Sequence, residues 1–206
     1  MFQSLMFSLT MTAAISSATA AGDSAAAVSA SREILHQCGA GEAPLASYPD
    51  DWMPAASAKA PHAALRKQLG EPMPEARSMV SIHAVGGDLA TTEFSVILVR
   101  GDDGVWRGTA VGETKVWIDG IKPSLMPRAA WALTTDLGHR LDDLLADRCF
   151  YAEPTEFHRK QVGPVGSLFM TLETQTPERR RVVDYKGNDV AGLTKEVTEL
   201  AFPPSS

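Results

Sequence analysis

Apolar and polar positions alternate through the middle of the chain. Residues 79–85, 92–100 and 105–111 show the period of two that is typical of half-buried β-strands, and residues 114–118 predict a shorter fourth strand. The glycines and aspartates at 101–104 have the composition of a hairpin turn. No helical pattern separates these strands, so we expect them to form an antiparallel sheet.

A helical spacing of apolar residues follows the strands. The helix is predicted to open at Ser124 or Pro127 and to end at Cys149. The apolar residues that recur along it with a period of 3.6 are Ala130, Leu133, Leu137, Leu141, Leu144 and Leu145.

The rest of the chain completes a mixed fold. A second hairpin is predicted over 167–174 and 179–185, and Asp189 is expected to cap a C-terminal helix. The order is therefore α-β-β-β(-β)-α-β-β-α over a core domain at 79–206. This is an α+β fold, with one antiparallel sheet of five to six strands covered by the long helix and the C-terminal helix. The order is similar to that of type III secretion chaperones and related binding modules, in topology alone.

The N-terminal part of the chain has a different composition. Residues 21–78 predict a flexible segment with short helices, one of them over 31–37, and a linker rich in proline and alanine at 39–60. Pro61 suits the first turn of another short helix, which Gly70 ends.

The first twenty residues predict export. Residues 1–20 carry no charged side chain, and an apolar stretch over 5–15 precedes small residues at 18–20 that fit the A-x-A rule. Cleavage after Ala20 would place the mature protein in the periplasm or outside the cell. The first basic residue is Arg32, so a buried N-terminal helix of a cytosolic protein is the alternative. The apolar stretch is too short for a retained membrane span.

The net charge of the chain disfavours anionic partners. The chain carries a formal net charge of −6, which repels nucleic acid backbones and anionic membranes, and the basic run at 179–181 is too short to reverse this. We expect that run to protect an edge strand. A hydrophobic content of 44% suits a folded domain.

The chain has two cysteines, Cys38 and Cys149. In an oxidising compartment we expect them to form a disulfide, which closes a loop of about 110 residues and stabilises the fold by about 4–5 kcal/mol. Two separate buried thiols are the alternative.

One cluster has the spacing of metal ligands. Asp136, His139 and Asp143 lie at i, i+3 and i+7, so a helix places them on one face. A solvated polar face has the same spacing and is the reading we favour, and no cofactor is predicted.

Aromatic residues on predicted strands are the binding candidates. Trp106, Trp117 and Phe169 are positioned to line a groove on an open sheet face. Packing in the core is the alternative, and we favour it.

These observations predict an exported binding or accessory domain without enzymatic activity, whose ligand is an unidentified protein or small molecule. The sequence has no G-x-S-x-G motif for a nucleophile. The alternative is a small extracytoplasmic hydrolase or metal-dependent enzyme, with a site assembled from scattered residues such as His139, Asp143 and His83.

Overall fold

The computed structural model describes Cys38 and residues 59–87, 89–157, 168–187 and 189–203. The predicted signal peptide, the predicted helix at 31–37 and most of the predicted linker lie outside these residues.

The described residues form four helices and eight strands. The helices are α1 (Lys59–Gln68), α2 (Thr135–Ala146), α3 (Arg148–Ala152) and α4 (Gly192–Ala201). The strands are β1 (Met79–Gly86), β2 (Ala90–Arg100), β3 (Trp106–Val116), β4 (Ser124–Leu125), β5 (Ala129–Ala132), β6 (Glu156–Phe157), β7 (Leu168–Gln175) and β8 (Arg180–Lys186).

All eight strands belong to one sheet, in the order β4-β3-β2-β1-β7-β8-β6, with β5 paired to β3. The five long strands pair antiparallel, and only the short β6 pairs parallel, with β8. The predicted α+β class and antiparallel sheet are confirmed. The short strands β4, β5 and β6 bring the strand count above the five to six predicted.

The long helix begins later than its apolar pattern predicted. Ala129–Ala132 pairs with β3 as a strand, so Ala130 is not helical and Leu133 precedes the helix. Thr134 caps α2, and its hydroxyl accepts a hydrogen bond from the backbone N–H of Leu137. The helix ends at Ala146, and Cys149 lies in the separate α3. Pairing with a distant strand overrides the helical preference of the alanines.

Two smaller predictions need correction. Residues 114–116 continue β3 to Val116 and form no fourth strand, because β2 pairs with β3 along its whole length. Asp189 does not cap α4, whose N-cap is Ala191. Glu153 does so from another element, because its carboxylate accepts hydrogen bonds from the backbone N–H groups of Leu193 and Thr194 at 2.6 and 2.9 Å.

Helices cover both faces of the sheet. The apolar face packs under α2, α3 and α4, and the buried residues of this core include Val80, Ile82, Leu98, Trp106, Leu141, Phe150, Leu172, Val183 and Val197. The opposite face carries α1, which begins two residues before the predicted Pro61 and ends before Gly70 as predicted. We call this second face the α1 face.

The predicted disulfide is confirmed. Cys38 and Cys149 are bonded, with their Cα atoms 5.5 Å apart, so the bond attaches Cys38 to α3. Among the described residues, no helix has both the length and the apolar composition of a transmembrane segment.

Candidate functional site

The three aromatic binding candidates lie in different places. Trp106 is buried in the core, where its indole N–H donates a hydrogen bond of 3.0 Å to Asp142. Trp117 follows the end of β3 and is 77% exposed. Phe169 lies half-buried on the α1 face, with the ammonium of Lys186 5.3 Å from its ring centre. They therefore share no groove.

The metal candidates share the exposed side of α2. Asp136, His139 and Asp143 are all exposed, and within the described ranges no group of three His, Cys, Asp or Glu side chains is arranged to hold a metal ion. His83 lies in β1 on the opposite side of the sheet, so it does not meet His139 or Asp143. The residues named for the enzymatic alternative are thus not brought together.

The basic run at 179–181 divides into separate contacts. Arg181 is buried, donates hydrogen bonds to the Thr194 hydroxyl and the Glu153 carbonyl, and stacks 4.4 Å from the ring centre of Phe150. Burial lowers the pKa of Arg181 to about 10. Arg180 pairs with Glu173 at 2.8 Å. Arg181 therefore holds β8 to α4, whereas Arg180 contacts β7.

A buried polar cluster lies between α1 and the sheet. Arg66 donates hydrogen bonds of 3.0 Å to the hydroxyls of Ser95 and Thr109 and one of 2.8 Å to the Glu71 carbonyl. The Nε2 atom of His62 lies 2.6 Å from the Ser95 Oγ atom. We call these residues the α1 cluster. Arg66 and His62 are one helical turn apart, so both side chains reach the same place on β2.

The histidine of this cluster is held neutral. His62 stacks on His83 with ring centres 4.9 Å apart, and His83 bonds the Glu93 carboxylate at 2.8 Å. Burial, followed by the positive charges of His83 and Arg66, lowers the pKa of His62 to about 3. The electrostatics of the cluster therefore oppose protonation of this ring at neutral pH.

The serine–histidine pair is a chemical candidate that the sequence did not indicate. Arg66 can only donate, so the Ser95 hydroxyl accepts from Arg66 and has its own proton to give to His62. Ser95 is completely buried, however, and α1 covers it. A nucleophile needs space for an attacked carbonyl about 3 Å away, which this packing does not provide. The pair joins α1 to the sheet.

A second group of residues is exposed and apolar. We call residues 116–126 the apolar arm, because they join β3 to β4 and carry six large apolar side chains at the surface: Val116, Trp117, Ile118, Ile121, Leu125 and Met126. At its tip the backbone N–H of Ile121 donates to the Ile118 carbonyl. Gly120 occupies the turn with φ +82°, a conformation that favours glycine.

A neighbouring loop extends the apolar surface. Ala90 pairs with Val116 across the β2–β3 ladder, so Leu89 and Trp117 are the next residues outward at the same end of the sheet. Leu89 is 86% exposed. Large apolar side chains from two loops therefore lie at the same end of the sheet.

A cleft opens at the base of the arm, between the end of α1 and β4. Its volume is about 480 Å3, and it is lined by Gln68, Leu69, Val111, Gly112, Glu113, Lys122, Pro123, Leu125, Met126 and Arg128. We call it the arm cleft. Its volume is within the range of small-molecule sites, about 300–1,000 Å3.

The arm cleft combines apolar walls with a few charges. Glu113 is buried, where it accepts a hydrogen bond of 3.1 Å from Gln68 and pairs with Lys115 at 2.6 Å. Arg128 pairs with Glu71 at 3.2 Å and remains largely exposed. Lys122 is exposed, and among the described residues it forms no hydrogen bond or ion pair. The charges of Glu113 and Arg128 are thus met by partners, and Lys122 remains to attract an apolar ligand that carries negative charge.

The sequence contained part of the signal for the arm. Trp117, Ile118, Ile121, Leu125 and Met126 are crowded between glycine and proline residues, a composition that predicts turns and not buried elements. The predicted fourth strand at 114–118 and the helix predicted to open at Ser124 or Pro127 gave no indication that these side chains are exposed.

Comparison with known proteins finds no match: no family model fits this chain, no curated protein resembles it in sequence, and no solved structure matches its fold. Functional conclusions therefore rest on the geometry of the site.

Proposed function

We propose that this protein is a binding or accessory protein without enzymatic activity, and that the apolar arm and the arm cleft form its binding surface. The observation that carries the proposal is the exposure of six large apolar side chains within residues 116–126. Soluble proteins seldom leave a contiguous apolar patch uncovered, and such patches mark interaction sites.

The proposed ligand is an apolar group with an acidic substituent, such as a small amphiphile or an acidic apolar segment of a partner protein. The walls of the arm cleft supply apolar contact through Leu69, Val111 and Met126. Lys122 supplies positive charge at the rim, where Arg128 is already paired with Glu71, although the protein as a whole carries a net charge of −6. Opposite charge at a rim favours the encounter and the orientation of a ligand.

The proposed location is extracytoplasmic, either periplasmic or secreted. The disulfide between Cys38 and Cys149 is compatible with an oxidising compartment. Residues 1–20 have the composition of a cleavable signal peptide. Intact-mass measurement of the protein from an extracytoplasmic fraction should give a chain that begins at Ala21. Full-length protein in the cytosol would contradict this location.

Binding can be tested with 8-anilinonaphthalene-1-sulfonate, an apolar anion whose fluorescence reports contact with apolar surface. We expect Leu125→Glu, which places a carboxylate in the arm cleft, to weaken binding at least about tenfold through like-charge repulsion and lost apolar contact. The matched control is Leu137→Glu, which changes another exposed leucine, in a groove between α2 and α4. Equal binding by wild type and Leu125→Glu would refute the arm cleft as the site.

A further inference from the structure

One end of the sheet carries Leu89 and the tip of the apolar arm, residues 117–121, and its large side chains are exposed. We call residues 117–121 the arm tip. Trp117 is 77% exposed, Ile118 is 63% exposed and Ile121 is 53% exposed, and all three lie beyond the last residue of β3. A Cβ atom built on Gly120 would meet no atom within 4 Å, so the turn projects into open space. These residues are separate from the apolar walls of the arm cleft.

The arm tip protrudes from the sheet, and the exposure of its side chains favours one kind of binding partner. Side chains of neighbouring residues point in different directions, yet Trp117 and Ile118 are both exposed, as is Leu89 on the adjoining loop. A groove on a partner protein covers one side of a loop. A bilayer surrounds an inserted loop on every side, so it removes all of these side chains from water.

The residue types also fit a membrane interface. Tryptophan concentrates where hydrocarbon meets headgroups, because its ring is apolar and its N–H needs a polar partner. Of the three cations in residues 115–128, Lys115 pairs with Glu113 and Arg128 pairs with Glu71. Lys122 is exposed beside the turn and is the cation that this stretch offers to anionic headgroups.

We propose that Leu89 and the arm tip, with Trp117, Ile118 and Ile121, insert into the outer few ångströms of a phospholipid surface and attach the protein peripherally. The exposed Asp119 at the turn limits insertion to the boundary between headgroups and acyl chains, because a carboxylate is costly to bury in hydrocarbon. Lys122 contacts anionic headgroups beside the inserted turn. This membrane surface is a second binding function beyond the ligand proposed for the arm cleft; the inserted side chains do not line the cleft, although Lys122 lies at the edge of both.

Sedimentation with large unilamellar vesicles tests the proposal on the mature oxidised protein. We expect binding to vesicles of phosphatidylcholine that contain phosphatidylglycerol, and weaker binding to phosphatidylcholine alone. The double variant Trp117→Ser, Ile118→Ser should reduce binding at least about tenfold, because both inserted side chains lose their apolar surface. Leu137→Ser is the matched control and should bind like wild type. Lys122→Gln should bind anionic vesicles a few times more weakly and should lose part of the salt dependence.

Insertion itself is measured by fluorescence quenching with lipids brominated in the acyl chains. Quenching should be present in wild type and absent in Trp117→Phe, which keeps an apolar ring and continues to sediment with vesicles. The other tryptophans act as the internal reference, and Trp106 in particular is buried.

Three outcomes would overturn the proposal: no sedimentation of wild type with either vesicle, equal sedimentation of the double variant, or no quenching at Trp117. Loss of self-association in the double variant, measured by sedimentation velocity, would replace the lipid surface with a second copy of the chain. The double variant should still bind the naphthalene sulfonate in the arm cleft, so failure of this proposal and failure of the proposed function are distinguishable.

Discussion

His62 makes the stability of the folded protein depend on pH. The ring is buried beside Arg66 and His83, and its pKa falls from 6.5 to about 3. The folded protein therefore keeps His62 neutral, whereas the unfolded chain binds a proton below about pH 6.5. The contribution to stability is complete above pH 6.5 and decreases as the pH falls toward 3.

We predict that wild type loses about 2–3 kcal/mol more stability than His62→Gln between about pH 7.5 and about pH 4.5, because glutamine has no proton to gain. Urea unfolding at the two pH values measures this difference. His139→Gln, a change at an exposed histidine, should follow wild type. Parallel losses in wild type and His62→Gln would show that His62 does not determine the acid sensitivity.

The contacts of individual residues were harder to predict from the sequence than the elements or the fold class. The i, i+4 spacing of His62 and Arg66 is visible in the chain, but their partner Ser95 lies 33 residues beyond His62 and is met only when α1 packs on β2. Glu153 caps a helix whose first residue lies 39 positions later, and local capping rules favoured Asp189. In both cases the deciding contact is non-local.

The β3 strand shows what sequence patterns do and do not determine for an element. Its alternation identified a strand, because one side faces the core. The prediction ended β3 too early and extended the helix over the residues that form β5, since neither pairing with β2 nor pairing with β5 leaves a local trace. The exposure of the apolar arm could not be predicted either, because it depends on which distant segments pack beside it.

A glycine in β3 permits close packing of a tryptophan ring. Trp131 of β5 lies directly across from Gly108, and a Cβ atom there would overlap the indole ring. We predict that Gly108→Ala destabilises the protein by about 1–3 kcal/mol, through displacement of this ring. Thermal or urea unfolding measures the loss.

Gly138→Ala in α2 is the matched control for Gly108→Ala. The nearest atom to its new Cβ would be 3.6 Å away, on Trp106, so the methyl group fits. Alanine also favours a helix over glycine by about 1 kcal/mol, so this variant should be neutral or more stable. A similar loss in both variants would contradict the packing argument.

The exposed side of α2 supports a prediction about metal. His139→Ala should change the free energy of unfolding by less than about 0.5 kcal/mol, as substitutions at exposed positions do. Zn²⁺ or Mn²⁺ should shift the Tm of wild type and His139→Ala alike, which differential scanning fluorimetry measures. A rise in wild type that is absent from the variant would establish the metal site that the spacing of Asp136, His139 and Asp143 suggests.

At the scale of the whole molecule, class and disulfide were predicted correctly, because apolar alternation and cysteine number are global properties of the chain. The bond between Cys38 and Cys149 spans a sequence separation of 111 residues. We predict that Cys38→Ser or Cys149→Ser costs about 4 kcal/mol, because the unfolded chain regains the freedom of a long loop. Urea unfolding of both single variants and the double variant measures the cost.

The three variants should be equally destabilised, since each removes the same bond. Thiol titration of the denatured, unreduced wild type is the control and should find no reactive thiol. Two reactive thiols, or an unchanged urea midpoint in the variants, would contradict the stabilising role of the bond.

The disulfide also changes how the chain responds to force. The bond closes a ring of covalent chain that contains β1, β2 and β3. Strands β7 and β8 lie outside this ring; β7 pairs with β1, and β8 pairs with β7. A pull on the two ends of the oxidised chain can peel β7 and β8 away, but it cannot extend the ring. The bond thus withholds roughly 370–400 Å of contour length until it is reduced, at about 3.3–3.6 Å per residue. Once β7 and β8 have been peeled away, an intact disulfide therefore prevents further extension of the chain between Cys38 and Cys149.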